Sequence, residues 1–108
     1  MKKLKDQSDL EYKILKNLEM NPKMTQREVA LKLDLSLGKT NFVIRSLLER
    51  GFVKLTNFRK SDNKIGYLYL LTPEGVSNKS KLAQQYLKLK SEEYASLEKE
   101  IANLRNEI

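Results

Sequence analysis

The sequence predicts a mostly α-helical fold with one small β-hairpin, in the order α-α-α-β-β-α, and a last helix much longer than the others. Three observations predict it. Apolar residues recur at helical spacing through the first 50 positions, two β-rich segments flank a polar stretch near position 60, and a heptad pattern runs through the last quarter of the chain. The length, 108 residues, is enough for one small domain and an appendage.

Helix-start and helix-stop signals delimit the first two helices. The first should begin near Ser8 or Asp9, since both are good N-caps, and should end before Pro22, which pushes its predecessor out of the α region. Its apolar stripe consists of Leu10, Ile14, Leu15 and Leu18. The second should begin at Thr25, because Thr25 and Glu28 fit the capping box Ser/Thr-x-x-Glu.

The third predicted helix has two distinct faces. It should run from about Leu37 to Arg50, with Ser36 as its N-cap and Gly51 as a left-handed C-cap. The face expected to be buried consists of Thr40, Val43, Ile44, Leu47 and Leu48. The opposite face, at spacing i, i+3, i+4, i+7, consists of Gly38, Asn41, Phe42 and Arg45, with Lys39 nearby.

The periodicity changes after the third helix. Residues 52–58 and 65–71 are rich in β-branched, aromatic and other apolar side chains, and residues 59–64 between them are polar, so the segment predicts a β-hairpin. Residues 72–74, Thr-Pro-Glu, then supply an N-cap, a proline at the first helical position and an acid in the first turn. This is the expected start of the last helix.

The last helix carries a heptad repeat. Gly75 and the Ser77-Asn78 pair are expected to loosen its first turns, and from Ala83 the steps between repeat positions alternate between four and three residues. Residues 79–108 would span about 45 Å, more than the preceding domain can cover, so pairing with another chain is favoured over packing on the core. The expected dimerisation residues are Leu87, Lys90, Tyr94, Leu97, Ile101, Leu104 and Ile108.

The net charge is distributed unevenly between residues 1–75 and residues 76–108. The net charge is +7 with a pI near 9.6, which is typical of a nucleic-acid binder. Residues 1–75 hold 15 basic and 9 acidic side chains, whereas residues 76–108 hold 6 and 5. We therefore expect residues 1–75 to form the DNA-binding domain and residues 76–108 the dimerisation helix.

Several chemistries are excluded by composition. The chain has no cysteine and no histidine, so it lacks thiolate nucleophiles, disulfides and the commonest general base and metal ligand. The carboxylates are scattered, and no glycine-rich phosphate loop is present. We expect no enzyme activity, metal or cofactor. No signal peptide or membrane span is apparent, so the expected location is the cytoplasm and no membrane partner is expected.

Two helices joined by a tight turn and followed by a basic hairpin are typical of a winged helix-turn-helix, whose third helix enters the major groove. The residues expected to contact double-stranded DNA are Ser36, Gly38, Lys39, Asn41, Phe42, Arg45, Arg59, Lys60, Asn63 and Lys64. Asparagine and arginine are types that read adenine and guanine. Phe42 either contacts thymine methyl groups or packs on the hairpin. Two of these expected DNA contacts have alternatives. Gly38 could be a neutral surface glycine, and the charged side chains at the hairpin tip could be solvated without contacting DNA.

Four segments together resemble the MarR superfamily of winged-helix regulators, and most closely its short subgroup associated with exopolysaccharide gene clusters. They are residues 36–41, 48–54, 57–59 and 66–75. The resemblance implies a dimeric, DNA-binding transcription factor without catalysis, whose contacts fall on the positions named above. Larger MarR proteins dimerise through both termini and often bind small ligands there. This chain has a short N-terminal extension and one long C-terminal helix, so a small-molecule effector is not expected.

The leading hypothesis is a homodimeric, sequence-specific DNA-binding regulator of surface-polysaccharide genes. A protein-interaction module is a second hypothesis, because winged helices also serve as scaffolds and the long helix could pair with a different chain. Binding of structured RNA is a third, since a basic wing is compatible with it.

Overall fold

The order of helices and strands is the predicted one. The computed structural model describes the backbone of residues 2–108 and the side chains from residue 7 onward. The elements are α1 (Lys2–Met20), α2 (Gln26–Leu33), α3 (Leu37–Glu49), β1 (Val53–Arg59), β2 (Ile65–Leu71) and α4 (Pro73–Glu107). The predicted mostly α-helical architecture with one hairpin and a long last helix is therefore confirmed.

The core lies where the first three helices meet the base of the hairpin and the early turns of α4. Its buried side chains are Ile14, Leu15, Leu18, Met24, Val29, Val43, Ile44, Leu47, Val53 and Leu82. The predicted buried face of α3 is confirmed except at Leu48, which is partly buried at the edge of this cluster. Because Leu82 belongs to the core, the expected division after residue 75 falls inside α4. That division stays a prediction, and residue 1 lies outside the described residues.

Local capping explains most helix boundaries. The capping box of α2 is present: Thr25 Oγ1 accepts from the Glu28 amide at 3.1 Å, and the Thr25 amide donates to Glu28 Oε1 at 3.3 Å. The prediction for the start of α1 is wrong, because α1 begins at Lys2 and Ser8 and Asp9 lie inside it. The residues before Ser8 are mostly good helix formers, so the helix extends past its candidate caps.

The start of α4 is anchored to the end of α3, and it is not loosened as the sequence suggested. Thr72 Oγ1 accepts from the Gly75 amide at 3.0 Å and donates to the Gly51 carbonyl oxygen at 2.6 Å. The Thr72 amide also donates to the Phe52 carbonyl oxygen at 3.1 Å. A Cβ at Gly75 would lie 1.9 Å from that same oxygen, so glycine permits the close approach of helix and strand. The helix is continuous from Pro73.

The two strands form an antiparallel ladder from Val53↔Leu71 to Arg59↔Ile65. The Tyr69 amide, on the outer edge of β2, donates to the Pro22 carbonyl oxygen at 3.0 Å. The hairpin is therefore fixed at its base to the connection between α1 and α2. This places its tip on the same side of the domain as the start of α2.

The principal dimensions are 65 × 27 × 21 Å, and the long axis reflects α4, whose residues beyond position 90 are all exposed. Across residues 2–108, no helix combines the length and apolar character that crossing a membrane requires.

Candidate nucleic-acid interface

The N-terminus of α3 is ordered by its own cap. Ser36 Oγ accepts from the Lys39 amide at 3.0 Å, as the sequence predicted, and the Ser36 carbonyl oxygen accepts from Thr40 Oγ1 at 3.0 Å. The amides of Leu37 and Gly38 lie ahead of the capped amide, at the positively polarised end of the helix. This end of α3 is exposed and suits a negatively charged group.

The face of α3 opposite the core is open to solvent. Gly38, Lys39 and Arg45 are exposed, and the Phe42 side chain is 61% exposed. Phe42 therefore leaves most of its ring in solvent and is not buried against the hairpin. No neighbouring atom lies within 4 Å of the position that a Gly38 Cβ would take, so the fold itself does not require glycine there. We call these four residues, with Asn41, the recognition face.

Asn41 is the half-buried member of the recognition face, and it belongs to a chain of hydrogen bonds. Its Nδ2 donates to Gln26 Oε1 at 2.9 Å, and Gln26 Nε2 donates to the Tyr69 hydroxyl at 3.2 Å. Residues of α3, α2 and β2 are thus linked. Gln26 holds the Asn41 amide in one orientation and leaves its Oδ1 as the acceptor available to a ligand.

The hairpin tip, residues 60–64, forms a compact turn. The Lys60 amide donates to the Lys64 carbonyl oxygen at 2.7 Å, and the Asn63 amide donates to the Lys60 carbonyl oxygen at 3.0 Å. Asn63 has a φ of 70°, a left-handed conformation that asparagine tolerates well. Its Oδ1 accepts from Arg59 Nη1 at 3.3 Å. Asn63 thus shapes the turn, while Arg59, Lys60 and Lys64 are exposed.

Two residues near this surface were not singled out from the sequence. One is Gln26, described above. The other is Lys23, whose ammonium lies 5.0 Å from the centre of the Phe58 ring, in a groove between the hairpin and the start of α2. It adds a positive charge between α2 and the hairpin tip. No local sequence pattern marks either residue, because its place near this surface depends on contacts with residues that are distant in the sequence.

The predicted dimerisation residues form a stripe along α4 that we call the exposed seam. It consists of Leu87, Lys90, Tyr94, Leu97, Ile101, Leu104 and Ile108, all of them exposed. The seam begins where α4 leaves α1, at a stacked pair of rings, Tyr12 and Tyr86, whose centroids are 5.2 Å apart. Glu93 accepts a hydrogen bond from Lys90 at 3.1 Å, and this bond and the charge of Glu93 raise the pKa of Lys90.

Taken together, the packed helices, the exposed third helix and the adjoining basic hairpin define a winged helix-turn-helix domain. A family model described as winged helix-turn-helix DNA-binding matches residues 7–54. No curated protein matches the chain. Among residues 7–108, no group of three or more acidic side chains is placed to hold a metal ion.

Solved structures of MarR-family regulators share the fold. The chain is similar to the zinc-dependent MarR family transcriptional regulator AdcR, with 21% identity and a TM-score of 0.56 over 82% of this chain and 60% of that one. BldR, a transcriptional regulator from Sulfolobus solfataricus, gives 18% identity and a TM-score of 0.65 over 92% and 73%. A MarR/EmrR family regulator from Acinetobacter sp. ADP1 gives 15% and 0.60 over 91% and 75%. The chain thus spans less than two thirds of the length of AdcR.

Proposed function

We propose that the chain is a MarR-type transcriptional regulator that binds double-stranded DNA sequence-specifically as a homodimer. The observation that carries this proposal is the recognition face: an exposed helix face bearing Lys39, Phe42 and Arg45, next to a basic hairpin. A helix of this size fits the major groove of B-DNA, where arginine and asparagine discriminate base pairs. The match of residues 7–54 to a DNA-binding winged-helix family supports the proposal.

In this proposal the two halves of the surface have different roles. Asn41 and Arg45 read base edges, and Phe42 supplies an apolar surface for thymine methyl groups. Arg59, Lys60 and Lys64 contact phosphates, which adds affinity without sequence preference. The capped N-terminus of α3 at Ser36, with the small Gly38 beside it, approaches a phosphate.

Dimerisation through the exposed seam completes the proposal. Several large apolar side chains repeat along one face of α4 and are more than 40% exposed, a pattern typical of an interface. Two copies would present two recognition faces, which suits a pseudo-palindromic site.

Control of exopolysaccharide genes is the narrower part of the proposal. It rests on the resemblance of residues 36–41 and 57–59 to the exopolysaccharide-associated subgroup. Mapping the genomic fragments bound by the protein tests it, and binding sites confined to unrelated genes would exclude it.

Base readout is tested with DNA selected from a random duplex pool by the purified protein. Arg45→Ala and Asn41→Ala should each lower affinity for the selected sequence far more than for random duplex, since a good base contact contributes about 1–3 kcal/mol of discrimination. Arg105→Ala makes the same change at the far end of α4 and is the matched control. Failure to select any sequence, with equal affinity for duplex DNA and structured RNA, would refute sequence-specific DNA binding.

The role of the hairpin is tested by the salt dependence of binding. Neutralising Arg59, Lys60 or Lys64 singly should weaken binding to all duplexes and flatten the dependence of affinity on salt by about one counterion. Lys81→Ala, which removes an exposed lysine of α4 outside the hairpin, should leave the slope unchanged. Unchanged slopes in all three hairpin variants would show that the tip is only solvated.

The dimer is tested by a charge on the exposed seam. Leu97 is 54% exposed in the single chain, so Leu97→Glu should leave the fold intact but convert the dimer to a monomer in sedimentation experiments. Asn103→Glu, six residues further along α4 and off the seam, is the control. A monomeric wild-type chain, or a Leu97→Glu variant that still dimerises, would contradict the assignment.

A further inference from the structure

The two halves of α4 carry opposite charge. Residues 73–91 contain four lysines and one glutamate, whereas residues 92–107 contain five glutamates, one lysine and one arginine. Glu19 of α1 pairs with Lys79 at the start of this basic half. Nearer the seam, Lys13 of α1 adds a positive charge, since its ammonium lies 5.9 Å from the centre of the Tyr86 ring and that of Lys90 lies 5.3 Å from it. A second α4 in the same direction places like-charged halves together, whereas one in the opposite direction places unlike halves side by side.

Lys90 gives the second indication of direction. It is the charged member of the exposed seam, and its ammonium donates a hydrogen bond to Glu93 at 3.1 Å. In a parallel dimer in register, Lys90 would face the partner subunit's Lys90 in the same layer, so two ammonium groups would meet in the interface. In an antiparallel dimer it faces an apolar residue of the acidic half.

We infer that α4 pairs in antiparallel direction with α4 of a second copy of the chain, in the register that places Leu87 against the partner subunit's Leu104. This inference rests on the dimer proposed above and specifies its geometry. In this register the whole seam is covered, and every position meets one of the opposite heptad type. The layers, each formed twice, are Ala83 with the partner's Ile108, Leu87 with the partner's Leu104, Lys90 with the partner's Ile101, and Tyr94 with the partner's Leu97.

Charges flanking the seam fit the same register. Lys90 lies between Glu93 of its own helix and the partner subunit's Glu100. That glutamate precedes the partner's Ile101, the apolar residue opposite Lys90. One lysine thereby offsets the repulsion between two glutamates. Tyr86, with the two lysines above its ring, faces the partner subunit's Glu107. The basic surface at the start of each α4 thus contacts the acidic C-terminal half of the partner's α4.

The register also sets the separation of the two DNA-binding domains. The midpoint of the overlap falls between residues 95 and 96, and Leu82 is the last residue of α4 in the core. Leu82 is therefore about 20 Å from the midpoint, and the two domains are attached about 40 Å apart. Half-sites in adjacent major grooves are about 34–36 Å apart. Antiparallel pairing thus separates the points at which the two domains are attached by a distance close to one turn of DNA.

Disulfide cross-linking tests the direction, because the full chain contains no cysteine. The variants Leu87→Cys and Leu104→Cys are oxidised separately and after mixing. We expect a disulfide in the mixture and none in either variant alone. Lys88→Cys mixed with Leu104→Cys is the control and should not cross-link, since position 88 faces away from the seam. Disulfides in the separate variants, or no mixed disulfide in a sample that sediments as a dimer, overturn the inference.

A spin label at an outward position provides a second measurement that leaves the seam intact. With a nitroxide on Asn106→Cys, the antiparallel register separates the two labels by about 30 Å along the helix axis. A parallel dimer holds them at the same height, within about 20 Å. A mean distance below about 25 Å overturns the antiparallel direction. A wild-type chain that sediments as a monomer instead contradicts the proposed dimer itself, so the two failures are distinguishable.

Discussion

Substituting Gly75 by alanine should destabilise the protein, although alanine is the better helix former. An alanine Cβ would lie 1.9 Å from the Phe52 carbonyl oxygen and 2.9 Å from its carbonyl carbon, and these backbone atoms cannot move alone. Overpacking of this kind costs about 1–3 kcal/mol. Losing the 3.1 Å hydrogen bond from the Thr72 amide to the same oxygen adds about 0.5–1.5 kcal/mol. The higher helix propensity of alanine offsets only about 1 kcal/mol of this cost. The net effect on the free energy of unfolding is therefore destabilising.

Gly38→Ala is the matched control, because it makes the same chemical change at a helical glycine with open space around it. It should stabilise the fold by up to about 0.5–1 kcal/mol, the gain for a glycine in the middle of a helix, because Gly38 is the second residue of α3. Thermal unfolding at one protein concentration compares the variants, and each kcal/mol corresponds to about 4–8 °C for a domain of this size. A Gly75→Ala midpoint equal to or above that of the wild type would refute the close approach of α4 to Phe52. Weakened DNA binding by a stabilised Gly38→Ala variant would support a backbone contact with DNA.

Three further substitutions check individual elements. Thr25→Ala should lower the free energy of unfolding by about 0.5–2 kcal/mol through loss of the capping box, whereas Thr25→Ser should not. Leu47→Ala, at a fully buried position, should lower it by about 2–5 kcal/mol in denaturant titrations. Phe42→Ala should change stability by less than about 0.5 kcal/mol and yet reduce affinity for selected duplex DNA. An unaltered affinity would remove Phe42 from the interface.

The features that could be predicted from the sequence are those encoded locally. Thr25, Ser36 and Thr72 each cap a helix through a residue three positions away, and the turn chemistry before and after them is equally local. The start of α1 was mispredicted because good capping residues also occur inside helices when the residues before them favour the helix.

The parts of the candidate site that could not be predicted from the sequence depend on tertiary contacts. Gln26 meets Asn41 across 15 positions and Tyr69 across 43, and no periodicity or spacing relates these residues. The same holds for Lys23 and Phe58, which lie together only because the hairpin folds back over the start of α2. Sequence patterns therefore located the recognition face but not the side chain that orients Asn41 within it.

The continuity of α4 has a mechanical consequence. One face of its first turns packs on the winged helix-turn-helix domain through Gly75 and Leu82, and its last turns lie in the exposed seam, with no break between them. In the proposed dimer each domain is therefore attached to a continuous helix, at a point about 20 Å from the midpoint of the helix pair. A change of about 10° in the angle between the helices turns each helix by about 5° about the midpoint of the pair and moves each domain by about 2 Å, at right angles to the line that joins the two domains. Small adjustments at the seam would thus shift and tilt the two recognition faces relative to each other, while the separation of the domains stays nearly unchanged.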